Sequence, residues 1–596
     1  METRLTAKKT LQKIASAYNR STSLEEAAKE FNMGQTAFRR RLIEAREAGI
    51  NVREAKRGGP AQLTDDDCRE AVDAMSVYGA IGAAAEALGI APSSLRHRLA
   101  AAAQRDIKPK LVGSDDARQP IVRPFPAKGK IARYILTCAQ NNTLLHEPTW
   151  AALQTMAEHY GAELLISTFT YNKSKDGSGK RGTKRASDDD GEWYDERIEP
   201  YAADDMIQLG KGLIWNGHFN NWPTASEPLS ALQNYNYRNS SIFPHVRQHM
   251  VSIATSPGDA AKLQYTTGTV TKRNYIQRKA GQKAEFDHIY GALLVEVDHE
   301  GRWFVRQLNT DGAGRIYDIL PDGPISFSAE AVVRPKGVNT IVWGDIHEIH
   351  LTDAIRDLCW ANGGVIDALK PRRQIFHDLA DFEFGHHNRR DPYKMYALKV
   401  VQQKSIKAEY ESTNRFLWMA SRPGVENVVV NSNHDRHFER YLREVDWRWD
   451  LENAEFAGTV HLAYLRALRE GVSFNAMKCA VESFNGPIPN TLWLEPGQSY
   501  VVCKNAGGGI ELGFHGDLGA GGARGSLKNL SLLGRKVVIG HGHGAGILNG
   551  AWQVGVMVLD LEYAMGSPGN WSISFCVIHE NGKRQMVTIW DNRWHA

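Results

Sequence analysis

The chain has 596 residues, of which 42% are hydrophobic and 23% are charged, and its formal net charge is +4. This length is too great for one hydrophobic core and indicates three or four domains. No apolar run approaches the roughly 20 residues of a membrane-spanning helix, and no apolar signal segment opens the chain. The six cysteines are scattered, as in reduced proteins. We therefore expect a cytoplasmic protein without a membrane partner.

The first 107 residues contain a repeat. Residues 24–42 realign with residues 81–99 at an offset of 57, with apolar positions matched throughout. The spacing predicts two short amphipathic helices around a tight turn in each copy, as in a duplicated helix-turn-helix. The predicted units are residues 1–56 and 57–107. Both second helices carry arginines at matching positions, and these are the predicted DNA-binding residues: Arg39, Arg41, Arg96 and Arg98.

Charge supports DNA as the partner of these units. Residues 1–110 hold 19 Lys and Arg against 14 Asp and Glu, whereas the rest of the chain is balanced. A basic excess on a helix-turn-helix is the electrostatic footprint of a nucleic-acid binder. The alternative is a small helical bundle that contacts proteins and has a solvated basic face.

The middle of the chain carries no motif that names a function. A Pro-, Gly- and Lys-rich stretch over 108–130 predicts a linker. A strand, a helix and a strand are predicted over 133–137, 147–161 and 162–169, and further strands over 290–297 and 302–308. We expect an α+β accessory domain over 131–335, which is also a candidate surface for a protein partner. Its basic run 173–185 contacts nucleic acid or is simply solvated.

Five polar clusters follow between residues 340 and 545, and four of them come directly after strand-like apolar runs. Side chains just beyond buried strands share the open rim of a sheet and can form one site from distant sequence positions. Carboxylates, an amide and imidazoles form a mixed N/O ligand set suited to Mn, Fe or Zn. The clusters are Asp345 with His347, Asp378 with Asp381, Asn433 with His434 and Asp435, His515, and His541 with His543.

In this order the clusters resemble the calcineurin-like metallophosphoesterases, whose motifs run D-x-H, G-D-x-x-D, G-N-H-[DE], H and G-H-x-H. The resemblance covers about 200 residues and departs from the pattern at His377 and Ser432, where glycine is usual. It implies two divalent metal ions, with Mn favoured and Fe or Zn as alternatives. The implied metal ligands are Asp345, His347 and His543 for one ion, Asn433, His515 and His541 for the other, and Asp378 as the bridge.

The resemblance also implies that His434 is a catalytic residue that acts on the leaving oxygen of the phosphate. Asp435 either orients His434 or caps the following helix, and Asp381 has the same two interpretations. Four further histidines near the motifs face the substrate or are incidental: His350, His386, His387 and His437.

The whole chain is thus predicted to be α/β, with a two-sheet metallophosphoesterase sandwich over 336–596, helices outside it, and the accessory domain and helix-turn-helix units before it. The predicted function is DNA hydrolysis. The pairing resembles SbcD-like nucleases and the host-DNA-degrading first-step-transfer proteins of tailed phages, which implies the host cytoplasm if the chain is phage-encoded. The alternatives are a phosphatase or phosphodiesterase on other substrates and a DNA-binding regulator with a vestigial core. The sequence is also compatible with a homo-oligomer.

Overall fold

The computed structural model describes residues 2–21, 23–53, 63–78, 81–105, 107, 119–171, 193–384, 391–559, 561 and 566–596. The chain divides into two compact units, Met1–Ala117 and Arg118–Ala596. None of the helices in these described ranges is both long and apolar enough to cross a membrane.

The described part of the first unit is helical. Its helices are α1 (Glu2–Arg20), α2 (Leu24–Glu30), α3 (Gln35–Glu47), α4 (Asp65–Tyr78), α5 (Ile81–Ala87) and α6 (Pro92–Gln104). One buried cluster around Phe38 joins α1, α2 and α3, and a separate cluster around Leu95 joins α4, α5 and α6. Each predicted pair of short helices is therefore present, and the helix before each pair completes a small core.

Local sequence fixes where these helices begin. The Ser23 hydroxyl accepts a hydrogen bond from the Glu26 backbone N–H at 3.2 Å and so caps α2. Pro92 opens α6, where its missing N–H costs nothing because no helical carbonyl precedes it.

The second unit is mixed α/β. Its helices are α7 (Glu147–Tyr160), α8 (Lys279–Phe286), α9 (Asp353–Trp360), α10 (Val365–Leu369), α11 (Pro392–Tyr396), α12 (Ile406–Ala420), α13 (Asp435–Glu444), α14 (Leu451–Glu470), α15 (Ala476–Glu482) and α16 (Leu527–Leu530). Short 3-10 helices lie at Glu196–Tyr201, Glu348–His350, Trp447–Trp449 and Ala520–Gly522, and a π-helical turn at Ala397–Val401.

The strands of this unit are β1 (Ile121–Val122), β2 (Ala132–Gln140), β3 (Glu163–Phe169), β4 (Met206–Gly210), β5 (Leu213–Asn216), β6 (Ser240–Phe243), β7 (Met250–Ile253), β8 (Lys262–Thr266), β9 (Gly291–Val297), β10 (Trp303–Asn309), β11 (Ile316–Leu320), β12 (Gly323–Phe327), β13 (Val332–Val333), β14 (Thr340–Asp345), β15 (Arg373–His377), β16 (Glu426–Val429), β17 (Thr491–Trp493), β18 (Val501–Val502), β19 (Ile510–Glu511), β20 (Lys536–Ile539), β21 (Gly546–Leu548), β22 (Ala551–Gln553), β23 (Ser574–Ile578) and β24 (Arg584–Thr588).

The six-stranded sheet carries three of the motif-bearing strands. Its order is β17-β16-β15-β14-β23-β24, and β14 to β17 run parallel while β23 and β24 are antiparallel. Each of its parallel strands alternates its side chains between two buried clusters. Val342 of β14 faces a cluster that also contains Val538 and Trp552 of β20 and β22, whereas Trp343 faces a cluster that contains residues of α9 and α12. The sheet is therefore buried on both faces, which explains its continuous apolar runs.

An eleven-stranded sheet covers one of these faces. Its order is β1-β4-β5-β6-β8-β7-β21-β22-β20-β19-β18. The pairing of Met250 in β7 with Ile547 in β21 joins strands from the predicted accessory range to strands from the predicted phosphoesterase range. A four-stranded sheet, β10-β9-β2-β3, and a three-stranded sheet, β11-β12-β13, complete the unit. The boundary at residue 335 remains a prediction, and one sheet crosses it.

The sequence predicts two closing strands of the core, over 555–561 and 571–578, with a hairpin turn at 580–583, and the first of these strands does not form in the described residues. The apolar run 555–561 has the pattern of a closing core strand, but its described residues form no named strand and make only isolated bridges from Val556 to Asp345 and Ile573. The segment passes beside the end of β14 instead of pairing along it. The second closing run forms β23, and the turn predicted at 580–583 joins it to β24 as a hairpin, with Gly582 at φ 76°.

Candidate metal centre

The ends of the parallel strands bring the predicted ligands together. Asp345 is the last residue of β14, Asp378 follows β15 directly, and β14 and β15 are parallel neighbours. His541 and His543 follow β20 in the facing sheet. The backbone N–H of His541 donates a 2.8 Å hydrogen bond to Asp345 Oδ2, so the two sheets meet at the site.

Four buried side chains form the tightest group. The ligand atoms of Asp345, His347, Asp378 and His543 all lie within 4.8 Å of one another. His543 Nε2 is 3.3 Å from Asp345 Oδ2 and 3.4 Å from His347 Nε2. These four residues are the predicted ligands of the first metal ion together with the predicted bridging carboxylate, and they could hold one ion.

The predicted second set reaches Asp378 through His515. His515 Nε2 is 3.2 Å from Asp378 Oδ2, and the ring of His515 lies 5.2 Å from that of His541 between centroids. Asn433 follows β16 by four residues, and its Oδ1 atom is buried. The structure thus places His515 beside the same carboxylate and His541 next to His515, and the assignment of this second set as metal ligands remains a prediction.

The donor atoms fit a bound cation. Asp345 Oδ1, Asp378 Oδ1 and Asn433 Oδ1 are buried without a hydrogen-bond partner. A buried oxygen without a partner costs about 1–3 kcal/mol, and more for a charged group. A cation bound by Asp345 and Asp378 would satisfy the oxygens of these two carboxylates. Oxygen and imidazole nitrogen donors together suit Mn, Fe or Zn, although the structure does not identify the metal.

The charges of the group are strongly coupled. Burial acts to raise the pKa of the Asp378 carboxyl, but nearby His515 and His434 outweigh it and hold that pKa well below its usual value. Burial acts to lower the pKa of His515, but the charge of Asp378 and a hydrogen bond to it raise that pKa to about 9. Without metal, His515 and Asp378 therefore form an ion pair, and a metal ion must displace a proton to bind His515.

His434 is positioned by Asp381. Its Nδ1 atom is 2.8 Å from the backbone carbonyl oxygen of Asp381, so this nitrogen donates and Nε2 points elsewhere. Asp381 Oδ1 also lies 2.9 Å from Nδ1 of His347. A carboxylate behind a ligating histidine fixes the ring and raises its basicity. Of the two interpretations of Asp381, the geometry favours the orienting one.

Asp435 has the contacts of a helix cap. Its Oδ2 atom accepts from the Ser432 backbone N–H at 3.2 Å, and its own N–H donates to Ser432 Oγ at 3.1 Å. This reciprocal pair has the spacing of a capping box and lies in the turn that leads into α13, whose first residue is Asp435. The serine that replaces the usual glycine of the motif therefore has a structural role, and these contacts favour capping over orientation of His434.

The other departure from the motif is His377, which is buried next to His515. Their Nδ1 atoms are 3.4 Å apart. Burial lowers the pKa of His377 to about 4, so its ring is neutral. The sequence shows His377 only as a residue at a position where the motif usually has glycine. The sequence pattern contains no signal that links residue 377 to residue 515.

Backbone conformation at the site is unusual. His347, Asp378, His541 and His543 have φ values of 43°, 40°, 70° and 53°. Non-glycine residues rarely adopt positive φ, and such strain concentrates at functional sites. Gly540 is required for another reason, because a Cβ atom there would lie 2.2 Å from Asp345 Oδ1.

The predicted DNA-binding arginines differ in their surroundings. Arg39, Arg41 and Arg96 are exposed, and Arg41 pairs with Glu44 at 2.7 Å. Arg98 is mostly covered and lies 3.0 Å from Asp67 and 3.6 Å from Glu70, which reduces its availability to a phosphate. Their role in DNA binding remains a prediction. The basic run 173–185, His386 and His387 lie outside the described residues.

Comparison with known proteins gives a strong relationship to a phage protein. No protein-family model matches the chain. It is 32% identical over 478 residues to "Protein A1" of Escherichia phage T5, which covers 78% of this chain and 83% of the relative. The chain belongs to the family of this phage protein. A phage relative agrees with the phage resemblance predicted from the motifs, and the name of the A1 protein states no activity.

Proposed function

We propose that the protein is a two-metal-dependent phosphodiesterase that hydrolyses DNA, built on a metallophosphoesterase sandwich. The observation that carries the proposal is the buried group of Asp345, His347, Asp378 and His543, within 4.8 Å, whose carboxylates each have an oxygen without a partner. Such a group is costly to bury unless it binds a cation.

The predicted site residues have different roles in the reaction. One ion would be held by Asp345, His347 and His543. The other ion would be held by Asn433, His515 and His541, and Asp378 would bind both ions. Two bound divalent cations supply positive charge that activates a water and neutralises the phosphoryl oxygens. The proton for the leaving oxygen comes from His434.

His434 is suited to this role. Burial acts to lower the pKa of its ring, but the charges of Asp378 and Asp381 outweigh burial and raise that pKa. The proton-carrying form of the ring is therefore favoured over that of a free imidazole. Since Nδ1 is held by the carbonyl of Asp381, the proton on Nε2 is the one that can be transferred.

The preference for DNA as substrate rests on the first unit. Its two helix pairs carry the exposed Arg39, Arg41 and Arg96, and the basic excess of the chain lies there. Linking a phosphodiester-cleaving site to DNA-binding modules raises the local substrate concentration without a new contact at the site.

The test is a set of hydrolysis assays on the full chain loaded with Mn. We expect cleavage of plasmid DNA and of bis(4-nitrophenyl) phosphate, and loss of both in Asp378→Asn, which keeps the shape of the side chain but removes its charge. Metal content should fall from about two ions per chain, the number that this class of site holds. Cleavage of the small diester without cleavage of linear, circular or single-stranded DNA would favour a phosphatase or small-molecule phosphodiesterase. Wild-type protein that binds no metal would favour a vestigial core.

A further inference from the structure

An exposed aromatic surface lies on the same unit as the metal centre. Tyr393, Tyr396 and Trp449, which we call the aromatic platform, have 86%, 61% and 81% of their surfaces exposed. Val400 and Leu451 beside them in sequence are also exposed. Large rings that stay this exposed to water after folding are costly and mark binding surfaces.

The platform is held on ordered backbone. Tyr393 and Tyr396 are three residues apart on α11 and so share one helix face. The Asp391 side chain caps this helix by accepting from the Tyr393 N–H at 3.0 Å. Lys399 donates to the carboxylate of Asp450, the residue after Trp449, and this ion pair brings the two segments of the platform together.

A chain of contacts connects the segment that bears the two tyrosines to the predicted catalytic histidine. Lys404 Nζ is 3.0 Å from Glu383 Oε2, and Glu383 Oε1 is 3.4 Å from His350 Nε2. The same His350 nitrogen is 3.5 Å from Asp381 Oδ2, and Asp381 holds His434. The segment that bears the two tyrosines therefore ends next to the residues that position the chemistry.

The segment is also basic. Residues 391–407 contain four lysines, at 394, 399, 404 and 407, and one acidic residue, Asp391. Two of these lysines, Lys399 and Lys404, form ion pairs with Asp450 and Glu383. Aromatic rings among cations beside a phosphodiester-cleaving site match the surface that binds a single nucleic-acid strand, where bases stack on rings and cations follow the backbone. A duplex cannot use the ring faces in this way, because its bases already stack on one another.

We propose that the aromatic platform binds a single DNA strand next to the metal centre, by stacking its bases on Tyr393, Tyr396 and Trp449. The inference rests on the proposed function, since it specifies the form of DNA that the same site receives. It makes unpaired DNA the preferred substrate of the centre.

The experiment measures binding of a fluorescein-labelled oligothymidylate to the full chain in EDTA, so that no strand is cut. The triple variant Tyr393→Leu, Tyr396→Leu, Trp449→Leu keeps apolar surface but removes the rings, and the matched triple variant to Phe keeps the rings. We expect the Kd to rise at least about tenfold with leucine, given the size of base–ring stacking, and to stay near the wild-type value with phenylalanine. A control variant changes two exposed aromatic residues of other segments, Tyr237→Leu and Phe286→Leu.

Wild-type affinity in the leucine triple variant would overturn the proposal and assign the platform to a protein partner. An equal loss of duplex binding would overturn the preference for a single strand. Hydrolysis of bis(4-nitrophenyl) phosphate separates this result from the proposed function. It should be unchanged in the leucine triple variant if the platform only binds DNA. The wild-type protein could show no hydrolysis while the leucine triple variant still binds the oligonucleotide more weakly than the wild-type protein does. In that case the nuclease proposal is wrong and the binding role of the platform is supported.

Discussion

At the scale of single residues, Asp381 links two different functions. Its carboxylate faces the predicted metal ligand His347 at 2.9 Å, and its carbonyl oxygen holds His434 at 2.8 Å. One residue thereby sets the orientation of a ligand and of the predicted proton donor. A change at Asp381 should disturb both, whereas a change at His434 should disturb only one.

Replacing His434 by alanine should separate chemistry from metal binding. Removing a general acid lowers kcat by roughly 10²–10⁴. Because His434 is not among the predicted ligands, the metal content should stay at the wild-type level when measured by elemental analysis of the dialysed protein. Loss of an ion in His434→Ala would make His434 a ligand and would contradict the role given to it.

Replacing Gly540 by alanine should damage the same centre from the backbone side. The added Cβ would lie 2.2 Å from Asp345 Oδ1 and 3.1 Å from the Cβ of His377, so the ligand carboxylate must move. Overpacking of this kind costs about 1–3 kcal/mol. Metal affinity, measured by titration with Mn, should fall. Gly534→Ala is the matched control, since nothing lies within 4 Å of its added Cβ, and equal affinity in both variants would show that Gly540 is not required.

At the scale of elements, the sequence predicted β14, β15, β16 and β20 well, because their apolar runs are short and each ends at a polar cluster. The run 555–561 looks the same in sequence but bridges Asp345 only through Val556. A strand needs partners along its length, and pairing depends on contacts with distant residues that a local pattern does not contain. The contact between His377 and His515 at the site could not be predicted from the sequence for the same reason, because the two residues are distant along the chain.

A buried ion network ties three strands of the same unit together. Arg306 of β10 lies 3.0 Å from Glu296 of β9 and 2.7 Å from Asp318 of β11. Burial acts to raise the pKa values of both carboxyls, but Arg306 outweighs it and lowers them. A lowered folded pKa means that these pairs contribute stability above the unfolded values, near 4, and lose it as the pH falls through the folded values.

Replacing Arg306 by methionine should therefore reverse this pH dependence. The variant leaves two buried carboxylates without their cation and should lose about 3–5 kcal/mol at pH 7. It should regain part of that stability on acidification, because the carboxyls can then take up protons, whereas the wild-type protein should weaken. Urea midpoints from pH 8 down to below about pH 4, where the wild-type carboxyls begin to take up protons, measure both trends. Parallel curves for the two proteins would contradict this expectation, and the exposed Arg334→Met, which also breaks a carboxylate pair, is the control.

At the scale of the whole molecule, the helical first unit was visible in the sequence because its repeat is local, while the organisation of residues 131–596 was not. The sequence predicts an accessory domain before a catalytic one, and this division remains a prediction. Pairing between β7 and β21 shows in addition that one sheet runs through both ranges. The order of strands in a sheet depends on pairing between residues that are hundreds of positions apart. A local sequence pattern therefore does not predict it.

Removing three arginines of the first unit should reveal whether it contacts DNA. The variant Arg39→Ala, Arg41→Ala, Arg96→Ala should weaken binding of duplex DNA. The slope of log K against log salt should become shallower by about 0.9 for each phosphate that the variant no longer neutralises. The variant Arg20→Ala, Arg69→Ala, Arg105→Ala removes the same charge from other positions of the unit as a control. Equal slopes for these two variants would favour a helical bundle that contacts proteins.

The sheet that crosses residue 335 limits how this protein can change by recombination. An exchange that replaced only residues 336–596 would join β21 of one parent to β7 of another, in the middle of a hydrogen-bonded ladder. Such hybrids fold only if the side chains of β7 from one parent pack against those of β21 from the other. The predicted metal-ligand motifs are therefore inherited together with the strands of the preceding 200 residues, whereas Met1–Ala117 form a separate compact unit.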